Sequence, residues 1–161
     1  MGIEAIKLVS GGQTGADRAA LDFAIEYQIA HGGWCPAGRL AEDCPLPARY
    51  QLTETPDGNY AQRTEWNVRD SDGTVVLSIG ETLTGGTSET VAFARARGKP
   101  VLHLWRNGGP AAPELELLRF IRDNGIQVLN VAGPRASQAP EVGAFVREVF
   151  EQALAAGHAG S

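Results

Sequence analysis

Two short segments carry glycines and hydroxyls in a pattern suited to holding an oxyanion. They are Ser10-Gly11-Gly12-Gln13-Thr14-Gly15 and Thr84-Gly85-Gly86-Thr87. Each follows an apolar run, Ile6–Val9 and Thr74–Ile79, and each leads into a helical pattern. Glycine lets backbone approach a ligand and adopt positive φ. The first turn of a helix adds unpaired N–H groups and a positive dipole end. Thr14 is expected to cap the first helix, with Asp17 three residues on. The first loop lacks the Walker lysine, and its glycines do not follow G-x-G-x-x-G. The same glycines would also serve as ordinary turn formers.

Charged residues near these loops set the remaining chemistry. Arg18, on the first helical turn, faces either solvent or an anion. Arg135, in the glycine–proline loop Gly133–Ser137, either pairs with a surface acid or contacts phosphate. Glu89 lies on the first turn after the second loop. There it either complements the helix dipole or acts as a general acid or base. Asp72, before Gly73, is a turn residue or a second candidate catalyst. Asp70-Ser71-Asp72-Gly73 does not follow the calcium-loop spacing. Two cysteines nine apart and three scattered histidines do not make a metal site. Cys35 is expected to pack as a small apolar group.

The elements that must position these groups alternate strand and helix. Strands are expected at Ile6–Val9, Trp34–Pro36, Thr74–Ile79, Val101–Trp105 and Ile126–Val131. Helices are expected at Ala16–Ala30, Tyr60–Arg69, Ser88–Arg97, Pro113 to about Asn124, and from Pro140 onward. This predicts an α/β fold of three layers, a mainly parallel five-stranded sheet with helices on both faces. The preferred strand order is 2-1-3-4-5, which sets both glycine loops at a topological switch point. Residues 36–59, rich in proline and glycine, are read as an ordered lid or binding loop carrying Arg39. Residues 1–155 are expected to form one ligand-binding domain, with 156–161 a frayed tail.

Composition narrows the partners. The 161 residues are 43% hydrophobic and 20% charged, with a net charge of −5. That balance argues against nucleic acid and anionic membranes as partners. No apolar run approaches the roughly 20 residues of a membrane span, and no signal-peptide pattern opens the chain, so a cytoplasmic location is expected.

Taken in order, these segments resemble the molybdenum cofactor carrier proteins. That family lies in the superfamily of the Lonely Guy phosphoribohydrolases and the lysine decarboxylase-like proteins. The likeness spans about Leu8 to Ser137. It rests on Ser10–Arg18, Gly33-Trp34-Cys35-Pro36-Ala37-Gly38-Arg39, Arg63-Thr64, Asn67-Val68 and Ser71-Asp72-Gly73-Thr74. Thr84–Thr87, Gly98-Lys99-Pro100 and Asn130–Ser137 complete it. The resemblance implies a Rossmann-like fold, a homo-oligomer and a pocket for a small phosphorylated ligand. It names that ligand as the molybdenum cofactor, a pterin with a terminal phosphate, and implies a molybdoenzyme as acceptor. Gly11, Gly12, Gln13, Thr14, Gly15, Arg18, Arg39, Arg63, Ser71, Asp72, Gly85, Gly86, Thr87 and Arg135 become the expected binding set. The enzymes of the superfamily show P-G-G-x-G-T-x-x-E at the second loop. Here Thr84-Gly85-Gly86-Thr87-Ser88-Glu89 lacks the proline and has a shorter run to the glutamate. The alternative function, cleavage of a nucleoside monophosphate with Glu89 or Asp72 activating water, is weakened by that departure.

Overall fold

Five parallel strands form the central sheet of the computed structural model, which describes residues 2–159. They are β1 (Lys7–Val9), β2 (His31–Gly32), β5 (Gly73–Ser78), β6 (Val101–Trp105) and β7 (Val128–Ala132). Two further strands, β3 (Trp34–Cys35) and β4 (Thr53–Glu54), pair in parallel as a separate ribbon. The helices are α1 (Ala16–Glu26), α2 (Tyr60–Arg69), α3 (Gly85–Ala96), α4 (Pro113–Asp123) and α5 (Val142–Ala159). The order across the main sheet is β2-β1-β7-β5-β6.

Helices therefore cover both faces of a parallel sheet, in the expected three-layer architecture. The strand order differs in one respect from the order preferred on sequence. The last strand lies between the first and the third, where the order 2-1-3-4-5 has those two adjacent. Apolar periodicity marks β7 as buried on both faces but does not choose its neighbours. Backbone pairing makes that choice: Leu8 stands opposite Leu129, and Val75 opposite Val131.

Handedness then distributes the helices. Parallel crossovers are right-handed. The connections β1-α1-β2 and β6-α4-β7 step one way along the sheet, and those through α2 and α3 step the other way. Accordingly α1 and α4 share a face with α5 between them, and α2 packs on α3 on the opposite face.

The two faces differ in chemistry. Strand alternation sends Leu8, Val75, Leu77, Leu104, Leu129 and Val131 into the main core with Phe23, Val146 and Phe150. The α2/α3 face receives Thr74, Ser78, His103 and Asn130 instead. Asn130 Nδ2 donates to Thr74 Oγ1 at 3.2 Å, and Ser78 Oγ lies 2.7 Å from His103 Nε2. Polar side chains therefore stand on this face beside the buried Val76, and a cavity opens between it and the two helices.

Several boundaries move for local reasons. The second strand of the main sheet is His31–Gly32, while Trp34–Cys35 turns away to pair with β4. Gly33 makes that turn at φ 124°, where an added Cβ would fall 2.4 Å from the Ser10 carbonyl oxygen. Helix α1 stops at Glu26, well short of Ala30, and Gln28 adopts φ 57°. Helix α3 starts three residues earlier than expected, at Gly85. Helix α5 continues to Ala159 through the first part of the segment expected to fray, whose last two residues, 160 and 161, lie outside the described residues.

Residues 36–59 are held in place. Arg39 donates to the carbonyl oxygens of Leu46, Pro47, Tyr50 and Leu52 at 2.8–3.4 Å. Leu46 and Tyr50 join Leu21 and Cys35 in a small second core. Cys35 is fully buried there, and burial pushes its thiol pKa up.

Candidate functional site

A cavity of about 240 Å³ opens at the carboxyl ends of β1, β7 and β5, between the sheet and helices α2 and α3. This is where open α/β sheets bind ligands. Asn130 and Ala132 of β7 form the floor, and Tyr60, Arg63 and Asn67 of α2 form one wall. Gly86, Thr87, Glu89 and Thr90 of α3 face them. Gly11 and Gln13, with Pro134, Arg135 and Gln138, close the remaining side.

The two glycine loops do different work. In the first, an internal carboxylate takes the anion's place. Asp17, only 7% exposed, receives support for its charged form from the backbone N–H groups of Gln13 and Gly11. Arg63 Nη1 reaches Asp17 Oδ2 at 3.1 Å. Burial nevertheless dominates and raises the Asp17 pKa above the ordinary carboxylate value, with Arg63 pulling it down. The start of α1 is closed as well, because Ala16 N donates to Pro134 O at 3.3 Å. Gly15 must be glycine at φ 83°, since a Cβ there would sit 2.4 Å from that same carbonyl. Thr14 does not cap α1. It accepts from Ala136 N and donates to Glu42.

The second loop stays open. Thr84 precedes α3 without a side-chain cap bond, and the backbone N–H groups of Gly85, Gly86 and Thr87 have no hydrogen-bond acceptor among the described residues. An added Cβ at Gly85 or Gly86 would meet nothing within 4 Å. The start of this 12-residue helix thus presents free donors and its positive end to the cavity.

Two guanidinium groups add positive charge. Arg63 is buried, lies over the Tyr60 ring at 5.2 Å and bonds through Nε and Nη1. Its Nη2 makes no hydrogen bond among the described residues. Gly11 is what lets it lie there, since a Cβ at Gly11 would fall 1.7 Å from Arg63 Nη1. Arg135 lines the cavity, and its guanidinium forms no ion pair or hydrogen bond among the described residues. Glu89 is exposed on the α3 wall.

The structure thus brings Gly11, Gln13, Arg63, Gly86, Thr87, Glu89 and Arg135 to one cavity. Thr14, Gly15 and Arg18 face a neighbouring groove between α1 and α5. Arg18 is engaged there by Asp43, at 3.0 and 3.1 Å, and by the Gly12 carbonyl. Gly12 packs beneath Leu46 and Leu52, and Gly85 stands just outside the cavity lining. Arg39 is spent on loop carbonyls. Ser71 and Asp72 sit at the amino end of β5, the far end of the sheet. Asp72 Oδ2 accepts from Gln127 N and Val128 N, and so fixes the entry to β7. Sequence reasoning passed over Asp17 and Asn130 as site residues. Asp17 could have been found from its place beside the first loop, whereas Asn130, inside an apolar strand, carries no such signal.

The fold and site define a Rossmann-like α/β protein with a cavity at the carboxyl ends of its central strands. The model of the circularly permutated YpsA SLOG family matches residues 8–154, and the chain belongs to that family. The solved structures include one similar to it, the crystal structure of a "putative molybdenum carrier protein" from Syntrophus aciditrophicus SB. The two share 48% sequence identity and superpose with a TM-score of 0.87 over 92% of this chain and 94% of the other. No functionally curated protein matches.

Proposed function

We propose that this protein is a carrier that binds the molybdenum cofactor, with the pterin's terminal phosphate at the open start of α3. The observation that carries the reading is the unpaired Arg135 facing the free N–H groups of Gly86 and Thr87 across one cavity. Arginine and backbone donors together match a phosphate dianion. Arg63 adds a second cation, held in place by Asp17. The name given to the 48%-identical neighbour supports the choice of cargo.

The cavity suits that cargo in its oxyanion end. Its volume, about 240 Å³, lies just below the roughly 300–1,000 Å³ of small-molecule sites. It therefore encloses the phosphate and part of the ring system and leaves the rest near the surface, where an acceptor protein can reach it. Among the described residues no group of three or more His, Cys, Asp or Glu side chains converges on a metal position.

Native mass spectrometry of freshly purified protein, with molybdenum analysis alongside, tests this. A retained pterin phosphate with molybdenum, lost in Arg135→Ala, is expected. A retained nucleotide without molybdenum would refute it. One observation favours a second reading: Glu89 lines the same cavity, as a hydrolase of nucleoside monophosphates would need. Base release from a nucleotide panel, abolished in Glu89→Gln, is that reading's signature.

A further inference from the structure

Beside the cavity, one exposed carboxylate is gripped by two ligand-side loops. Glu42 Oε1 accepts from Thr14 Oγ1 at 2.5 Å and from Ser137 N at 3.1 Å. Glu42 Oε2 accepts from Ser137 Oγ at 2.6 Å. Thr14 is itself oriented by Ala136 N, which donates to its Oγ1 at 3.1 Å. The Arg135 guanidinium adds its attraction from the same loop. The donors come from the loops after β1 and β7, and the carboxylate comes from residues 36–59, far from both in sequence. These hydroxyls, one backbone N–H and a nearby free cation form an oxyanion cradle with a tethered anion already in it.

The tether is one side chain on a strap with its own anchors. Glu42 N donates to Gln13 Oε1 at 2.8 Å, Asp43 holds Arg18, and the buried Leu46 and Tyr50 root the segment behind it. The carboxylate can therefore leave its cradle by side-chain rotation while Leu46 and Tyr50 stay packed. Asp17, the other internal anion of these loops, is buried and ion-paired and has no such freedom.

We propose that the Thr14–Ser137 cradle, next to Arg135 and between the cavity and the α1/α5 groove, is a second oxyanion subsite, which Glu42 fills in the free protein and a phosphate group of the ligand takes over. The ligand class is a phosphate monoester or diphosphate that reaches past Arg135. Displacing the Glu42 carboxylate leaves the strap held by the Gln13 and Arg18 contacts, so the exchange is local to the side chain. This rests on reading the cavity as a site for a phosphorylated ligand.

The test uses inorganic phosphate and pyrophosphate as probes, titrated calorimetrically into the intact protein. Removing the internal competitor raises affinity, so Glu42→Ala is expected to bind at least tenfold tighter than the wild type. Thr14→Val with Ser137→Ala, in the Glu42→Ala background, is expected to abolish that gain. Glu42→Gln keeps the acceptor oxygen without the charge. It is expected to gain at least threefold, and it serves in place of Glu42→Ala if the alanine variant misfolds. Affinity unchanged in both Glu42 variants, or a gain that survives loss of Thr14 and Ser137, would overturn the proposal. Failure of the carrier reading is a separate result: no pterin would be retained, with the phosphate gain intact.

Discussion

Replacing Arg63 by methionine tests the reasoning about the first glycine loop most directly. Methionine keeps much of the side-chain bulk and removes the charge. Arg63 and Asp17 are buried, 9% and 7% exposed, and meet at 3.1 Å. Removing one partner of a buried pair typically costs about 3–5 kcal/mol, because the other charge is left uncompensated. The N–H groups of Gly11 and Gln13 still support the Asp17 carboxylate, which favours the low end. For a chain of this size that corresponds to a fall in Tm of roughly 6–20 °C. The pH dependence gives a second check. The Asp17 pKa is already raised in the folded protein by burial, and loss of Arg63 raises it further. A carboxyl with a raised folded pKa penalises folding above that pKa, and the penalty fades as pH falls through it toward the unfolded value. The gap between variant and wild type should thus be smaller in acid than at neutral pH. Urea unfolding at both pH values measures it. Asp17→Asn combined with Arg63→Met should recover much of the loss. A single variant less than about 1 kcal/mol below wild type, with the same gap at both pH values, would refute the coupling.

Other outcomes follow from the same geometry. Arg135→Ala removes a guanidinium without protein partners. It should weaken a phosphorylated pterin roughly 10- to 150-fold, the range of a charge-assisted hydrogen bond, and leave Tm nearly unchanged; calorimetry and a thermal melt check both. A Cβ added at Gly86 meets no atoms within 4 Å, so Gly86→Val should fold while its side chain screens the α3 donors and lowers affinity for the same ligand. Asp72→Ala removes the acceptor for Gln127 N and Val128 N; Tm should drop while ligand affinity stays at the wild-type value, since this residue lies at the far end of the sheet. Phe150→Ala empties a fully buried site edge-on to Phe23; a loss of about 3–5 kcal/mol is expected by denaturant unfolding.

The sequence by itself determined the layers and the end of the sheet at which the site lies. Period-2 and period-3.6 patterns survive any choice of strand neighbours, so β5, α4 and α5 were readable from spacing alone. The open start of α3 was readable too, because its unpaired backbone N–H groups belong to the helix itself. Tertiary structure decided what the local pattern does not encode. The place of β7 between β1 and β5 depends on pairing between residues more than 50 positions apart, such as Val75 with Val131. That insertion brings Pro134 over the start of α1 and Arg135 to the cavity. The fate of the first loop was hidden for the same reason. Its glycines look like a phosphate cradle, but the N–H groups of Gly11 and Gln13 support Asp17, Gly12 N donates to Ser10 Oγ, and Gly11 is small so that Arg63 of α2 can pass. Arg39 and Asp72 were misplaced because a charged residue in a loop reads alike whether it meets a ligand or its own backbone. Only folding assigned Arg39 to four carbonyls and Asp72 to the start of β7. Local order follows from each residue's own conformational preference, whereas a site is a meeting of distant residues that exists only once the chain has closed on itself.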